Sequence, residues 1–186
     1  MVDRGAALVL LREHVKNENM IKHCLASEAV LRALARKLGE DEDRWGIAGL
    51  LHDIDVEITD ADLDVHTREA ARLLEGLGAD TEMIDAIRLH NEQAHPGETR
   101  STVFQHALAA GETVTGLITA TAMVYPDKKL ASVKPSSVTK RMKEKAFARS
   151  VNRDIILECG KIGIELPAFV ELSVEAMKEI ASELGL

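Results

Sequence analysis

Apolar residues recur at helical spacing along most of this chain, and no segment shows the alternating pattern of a strand. In the stretch from about Met20 to Leu38, the apolar residues Ile21, Leu25, Ala29 and Leu34 follow one another at steps of three to five residues, which is typical of an amphipathic helix. Aromatic residues make up only 3% of the chain, whereas the strands of a β-sandwich depend on aromatic and β-branched side chains. The pattern predicts an all-α fold.

Glycine and proline breaks divide this pattern into separate helices. We predict helices at about residues 20–38, 41–53, 66–74, 81–91, 101–125, 137–148 and 153–160, and a last helix after Pro167. The length of 186 residues suits one compact domain with an appendage. We therefore assign residues 1–150 to one domain and residues 151–186 to a C-terminal helical extension packed on the same domain.

Charge and cysteine content limit the partners of the chain. There are 23 Lys and Arg against 31 Asp and Glu, a formal net charge of −8, which argues against stable binding of nucleic acid. No apolar run approaches the length of a membrane span. The two cysteines stand far apart in the sequence and form no CxxC motif. We interpret them as reduced thiols, which are typical of cytoplasmic proteins, so we expect a cytoplasmic location. The amphipathic C-terminal helix is expected to pack either on the domain or on a second copy, as in a homodimer.

The dipeptide His52–Asp53 is unusual for its position at the end of an apolar helix. It follows the sequence GIAGLL, so both polar side chains are expected near the core, where burial is unfavourable. An acid at the C-terminus of a helix also opposes the helix dipole. A bound cation would remove both costs, because it neutralises the carboxylate and gives the neutral imidazole a partner.

Four further residues have metal-binding side chains on or beside apolar helical faces. His23 lies beside an apolar stripe, His66 opens a helix, His90 shares a face with apolar residues, and Glu112 interrupts the apolar run ALAAGETVTGLITATAMV. Each of these alone is more often an ordinary core or surface residue. Together with the dipeptide they supply four imidazoles and two carboxylates, the donors that two divalent metals of the borderline class require.

The order of these residues resembles the HD-domain superfamily of metal-dependent phosphohydrolases, in particular its HDIG-type bacterial branch. The strings HCLASEAVLRALARKLGEDEDRWGIAGLLHDID, AIRLHNE and GETVTGLITATAMVYPDKKLASVK carry the resemblance, which covers roughly residues 18 to 150. It implies a helical bundle of the HD-domain type. It also implies a metal-binding set that consists of His23, His52, Asp53, His66, His90 and Glu112.

Within this set, the resemblance implies different roles. The first two histidines, Asp53 and the acid at position 112 resemble the core of a mononuclear site, and His66 and His90 resemble the additional ligands of binuclear members, in which Asp53 would bridge both metals. The sequence departs from the family pattern twice: Glu112 replaces the usual Asp, and Asp55 replaces the Gly of HDIG. Asp55 is expected to cap a helix without binding metal. Three other histidines are expected on the surface: His14, His95 and His106.

The implied activity is hydrolysis of a small-molecule phosphoester, in particular a nucleotide or a nucleotide derivative. It would use water activated by one or two divalent Mn, Fe, Co, Ni or Zn ions, with His52 and Asp53 as catalytic residues. A di-iron oxygenase on the same scaffold is an alternative, because the same ligands would serve it. A non-catalytic module for nucleotide binding or signalling is another, and Glu112 at the usual Asp position is the sequence feature that favours it.

A basic segment lies between Pro126 and Arg149, where eight Lys or Arg stand against two acids. Such a concentration of charge attracts phosphate. The first candidates for contact with the substrate phosphate are Lys128, Lys129 and Lys134. For any one of these lysines, a solvated helix face is the simpler interpretation.

Overall fold

The computed structural model describes residues 3–186, and it confirms the predicted all-α fold, with no strand among those residues. The α-helices are α1 (Arg4–His14), α2 (Glu18–Leu38), α3 (Glu42–Leu51), α4 (Arg68–Gly76), α5 (Thr81–His90), α6 (Val103–Met123), α7 (Pro135–Arg141), α8 (Arg153–Ile156), α9 (Leu166–Glu179) and α10 (Ala181–Leu184). Short 3-10 helices span Glu92–Ala94, Leu130–Ser132 and Leu157–Ile162.

The helix boundaries differ from the prediction mainly near the two ends of the chain. Helix α1 was not predicted; it begins where the side chain of Asp3 accepts a hydrogen bond from the Ala6 N–H, and it buries Ala7 and Leu11, with contacts to α3. The basic helix expected over 137–148 ends at Arg141. The helix expected over 153–160 has a single α-helical turn followed by a 3-10 helix.

Helices α2, α3 and α6 form the centre of the fold, and glycines allow their close approach. A Cβ atom at Gly49 of α3 would lie only 2.7 Å from the carbonyl oxygen of Ser27 on α2, and one at Gly111 of α6 would lie 2.7 Å from Leu31. A larger residue at Gly49 would require the helices to move apart, and one at Gly111 would require Leu31 to repack. The central helices therefore hold the side chains on their facing surfaces in fixed positions.

The C-terminal segment shares the core of the rest of the chain. Phe169, Val170, Val174 and Met177 of α9 are fully buried in one continuous cluster with residues of α2 and α6. Both cysteines are buried free thiols. Among the helices described, none combines the length and apolar character needed to cross a lipid bilayer.

Candidate metal centre

The structure brings together the six side chains that the sequence singled out, although they come from five separate segments. His23 lies in the first half of α2, His90 is the last residue of α5, and Glu112 lies in the middle of α6. His52 and Asp53 follow α3 directly, and His66 lies at the end of the turns that lead to α4. Because Asp53 lies among the four imidazoles, it is the centre of the arrangement.

One oxygen of Asp53 faces the first pair of imidazoles. Its Oδ2 lies 3.3 Å from His52 Nε2 and 3.5 Å from His23 Nε2, and the two Nε2 atoms are 3.1 Å apart. Glu112 completes this group, with Oε2 at 3.7 Å from His23 Nε2. The extra methylene of Glu112, relative to the expected Asp, therefore does not keep its carboxylate away from the cluster.

The other oxygen of Asp53 faces the second pair. Its Oδ1 lies 3.0 Å from His66 Nε2 and 3.4 Å from His90 Nε2, and these two nitrogens are 3.2 Å apart. The carboxylate of Asp53 is thus shared between two groups of donors, one on each oxygen.

The outer nitrogens of His52 and His90 fix the tautomers of these two rings. His52 Nδ1 donates to the carbonyl of Gly49 at 2.9 Å, and His90 Nδ1 donates to the carbonyl of Ile87 at 2.7 Å. A carbonyl oxygen can only accept a hydrogen bond, so Nδ1 carries the proton in both rings. In the neutral form of each ring, Nε2 then presents its lone pair to Asp53.

Hydrogen bonds also place the proton on Nδ1 in the other two rings, His23 and His66. The hydroxyl of Thr115 donates to the backbone carbonyl of Glu112 at 2.7 Å, so it accepts from His23 Nδ1 at 3.0 Å. His66 Nδ1 donates to the carboxylate of Asp55 at 2.7 Å. Hydrogen bonds to the outer nitrogen are what orient metal-ligating histidines in proteins. Four lone pairs directed at one carboxylate are stable only if positive charge lies between them.

The separations between donor atoms fit divalent cations. Bonds of about 2.1 Å to nitrogen and oxygen place neighbouring donors about 3.0 to 3.4 Å apart around a cation, depending on its coordination geometry. The distances around Asp53 run from 3.0 to 3.7 Å. Neutral imidazole with carboxylate is the donor set of borderline metals such as Zn, Fe and Mn. The residues therefore have the donor types and spacing of a divalent-metal site: the ligand atoms of His23, His52 and Glu112 lie within 4.8 Å of one another, and so do those of His52, Asp53 and His90.

Without a metal ion, protons on two of the imidazoles balance the negative charge of Asp53. Burial opposes charging of His66, but its hydrogen bonds to Asp53 and Asp55 outweigh burial and raise its pKa to about 9. His52 follows the same pattern, because Asp53 raises its pKa against the effect of burial.

The partner ring in each pair shifts the other way. Burial and the nearby His52 lower the pKa of His23 to about 4, and burial lowers the pKa of His90. One ring of each pair therefore attracts a proton, and a cation would replace that proton. Burial also raises the pKa of the Glu112 carboxyl to about 7.

Asp55 supports the centre from behind, a role that the sequence analysis described only as helix capping. Its fully buried carboxylate accepts hydrogen bonds from His66 Nδ1, from the Thr67 N–H at 2.8 Å and from the Ala70 N–H at 2.9 Å. Thr67 has a φ of +86°, and its hydroxyl contacts His95 Nε2 at 2.9 Å. His95 is buried, so its predicted surface location is wrong.

A second support joins the end of α5 to the C-terminal segment. The guanidinium of Arg100 binds both oxygens of Glu158, at 2.7 and 2.9 Å, and donates to the carbonyl of Leu89 at 2.7 Å. His106 Nδ1 lies 2.6 Å from Glu158, and this ring is buried although the sequence predicted it on the surface. Arg100 thus holds the last turn of α5, which carries His90. Nothing local in the sequence pairs residues 58 positions apart.

A cleft of about 660 Å³ opens onto the six residues, and we call it the metal cleft. Its walls come from the loop after α3, the end of α5, the middle of α6 and residues 150–155. This volume is in the range of pockets that enclose small organic molecules.

The three lysines predicted to bind the substrate phosphate do not line this cleft. Lys128, Lys129 and Lys134 are exposed and lie beyond the end of α6. Met123, the last residue of α6, follows Glu112 by eleven residues, so the rise of the helix separates them by about 16 Å. The structure corrects this prediction, because a high density of charge along the sequence does not show which surface of the fold the charged side chains occupy.

A model of the HD-domain family matches residues 20–120 of the chain. The matched stretch is more than half of the chain and contains Asp53 and all five residues around it. No solved structure matches the chain.

Proposed function

Since the chain belongs to the HD-domain family, whose members are generally metal-dependent phosphohydrolases, we propose that it hydrolyses a phosphoester with two divalent cations as cofactors. The observation that carries the proposal is the arrangement around Asp53, where each carboxylate oxygen faces a separate pair of imidazoles. A single cation would leave one of these pairs unused.

The residues would divide between the two cations as their contacts divide. His23, His52 and Glu112 would hold one cation together with Asp53 Oδ2, and His66 and His90 would hold the other together with Oδ1. Mn, Fe, Co, Ni and Zn all suit such donors. When bound, these cations act as Lewis acids that activate water and stabilise charge on the phosphoryl oxygens.

The charge of the loaded centre favours a phosphomonoester. Asp53 and Glu112 bring two negative charges, and two divalent cations bring four positive charges. Asp55, which contacts His66, adds a third negative charge, so an excess of positive charge remains that would attract the anionic phosphoryl group.

The walls of the cleft suit the remainder of a nucleotide or nucleotide derivative. Asn91 and Ser150 supply polar surface, and Val56 and Leu63 supply apolar surface. Such a mixed wall provides both contact area and hydrogen bonds for a base and a sugar.

The hydroxyl of Thr113 donates a hydrogen bond to Glu112 and so orients the Glu112 carboxylate.

The test is metal analysis combined with a hydrolysis assay. We expect close to two metal ions per chain, and phosphate release from a panel of phosphomonoesters under anaerobic conditions. The double variant His52→Ala, Asp53→Ala should lose most of the metal and all of the activity. The control Lys128→Ala, Lys129→Ala should keep both, because these lysines lie outside the cleft.

Two results would contradict the proposal. Substrate-dependent oxygen uptake without phosphate release would assign the centre to oxygenase chemistry. A protein that binds nucleotide but no metal would assign the chain to the non-catalytic class.

A further inference from the structure

A second groove, of about 500 Å³, adjoins the metal cleft and shares two wall residues with it, His23 and Gly116. It lies between α2 and α6 and is bounded by Leu184, Gly185 and Leu186. The second groove therefore lies directly beside the metal cleft, at His23 and Gly116.

Three polar side chains line the second groove. Asn19 and Lys22 lie on the face of α2 that carries His23, and Thr119 lies on the facing side of α6. Lys22 is half-buried and has no carboxylate within 4.0 Å, and none of the three side chains makes a hydrogen bond to another described residue. An ammonium group with an amide and a hydroxyl is a donor set suited to an anion.

The metal cleft itself offers no comparable place for a second anion. Apart from the imidazoles next to Asp53, its one cationic wall residue is Arg100, which is bound to Glu158, and its acidic wall residues are Asp53, Glu92 and Glu112. Of the described residues that line either groove, Lys22 is the only cation without a carboxylate partner.

Gly116 leaves the junction of the two grooves open. Glycine inside a helix is less favourable than alanine by about 1 kcal/mol, so its position in α6 calls for a reason. A Cβ atom at Gly116 would meet only Val151, at 3.3 Å, whereas one at Gly111 would meet Leu31 at 2.7 Å. Close helix packing explains Gly111, whereas a side chain at Gly116 would press on Val151 and narrow the place where the two grooves adjoin.

We propose that the substrate carries a second anionic group, a phosphate or a carboxylate, which binds Lys22, Asn19 and Thr119. Its ester phosphate lies at the metal centre, and its body passes Gly116 and contacts the apolar wall formed by Ala120 and Met123. The location of the ester phosphate rests on the proposed function. The anion site in the groove does not require that hydrolysis occurs.

The experiment uses ligands that cannot be hydrolysed, so that binding is measured independently of activity. The full chain loaded with Mn²⁺ is titrated calorimetrically with hexylphosphonate, pentane-1,5-diyl bisphosphonate and 6-phosphonohexanoate. These share one body and differ only in the far end, which is a methyl, a phosphonate or a carboxylate. We expect at least one of the two dianchored ligands to bind about tenfold more tightly than hexylphosphonate, as for a charge-assisted hydrogen bond.

Variants assign this preference to the groove. Lys22→Met should remove the preference and leave the affinity for hexylphosphonate unchanged, and Gly116→Val should remove it by closing the passage. The control Lys128→Met should keep it. Comparison of the phosphonate with the carboxylate identifies which anion the groove prefers.

Equal or undetectable binding of the three ligands to the natural protein would overturn the proposal, as would a preference that persists in Lys22→Met. Failure of the proposed function gives a different result. In that case no phosphomonoester is hydrolysed, while the preference for a second anion and its dependence on Lys22 are retained.

Discussion

Replacement of Asp55 by asparagine tests how far the metal centre depends on its supporting hydrogen bonds. The carboxylate accepts three hydrogen bonds, from His66 Nδ1 at 2.7 Å and from the N–H groups of Thr67 and Ala70 at 2.8 and 2.9 Å. Asparagine has nearly the same shape, but its NH2 group would face at least one of these donors. Either a buried donor is then left without an acceptor, or His66 moves its proton to Nε2 and loses the lone pair that faces Asp53.

The magnitude follows from these contacts. A hydrogen bond to a charged group contributes about 1.5 to 3 kcal/mol, and an unsatisfied buried donor is similarly unfavourable. Asp55→Asn should therefore lower the free energy of unfolding by about 2 to 4 kcal/mol. Because the tautomer and orientation of His66 also depend on Asp55, affinity for the metal at the His66 position should fall about 10- to 100-fold.

The assays are urea unfolding of the metal-free protein and titration with Mn²⁺ or Zn²⁺. Asp60→Asn is the matched control, since Asp60 is exposed in the same loop and its φ of +51° suits asparagine equally well. The control should change stability by less than about 0.5 kcal/mol. An Asp55→Asn protein as stable as the control, with undiminished metal affinity, would refute the role given to Asp55.

Three further predictions concern protonation, the C-terminal support and helix packing. The pKa of His66 is raised from 6.5 to about 9, so in the metal-free protein its stabilising charge is complete below about pH 6.5 and is lost as the pH rises through about 9. Metal binding near pH 8 should therefore release about one proton or more, and fewer above pH 9; calorimetry in buffers of different ionisation enthalpy measures this, and no buffer dependence would contradict it. Glu158→Gln should weaken the contact with Arg100 that holds the end of α5, and it should lower the metal content from two ions toward one. Two tightly bound ions in this variant would contradict the supporting role of Glu158. Gly49→Ala should reduce stability by about 1 to 3 kcal/mol in thermal or urea unfolding, because its methyl group would lie 2.7 Å from the Ser27 carbonyl; the control Gly76→Ala meets nothing within 4 Å and should not destabilise, and equal effects of the two changes would count against the packing explanation.

The sequence predicts the all-α fold because apolar spacing is a local property that directly reflects helical geometry. It singles out Asp53 and the five side chains around it for a related reason. Polar residues such as Glu112 stand out against apolar neighbours, since their burial needs a partner.

Features that depend on long-range contacts could not be predicted in this way. The pairing of Arg100 with Glu158 joins positions far apart in the chain, and the burial of His95 and His106 depends on neighbours that fold against them. The basic segment was predicted to contact the substrate phosphate, but its lysines lie past the end of α6 and outside the metal cleft. The density of charge along a sequence does not show where the side chains lie in the fold.

The boundary of the family match has an evolutionary consequence. Asp53 and the five residues around it lie within residues 20–120, whereas residues 150–155, which line one wall of the metal cleft, lie outside that stretch. The sequence of residues 150–155 can therefore change without replacing a proposed metal-binding residue, although other wall residues of the same cleft, such as Val56 and Asn91, lie inside the matched stretch. Glu158 sets a limit on that freedom, because any exchanged segment must still present an acid to Arg100.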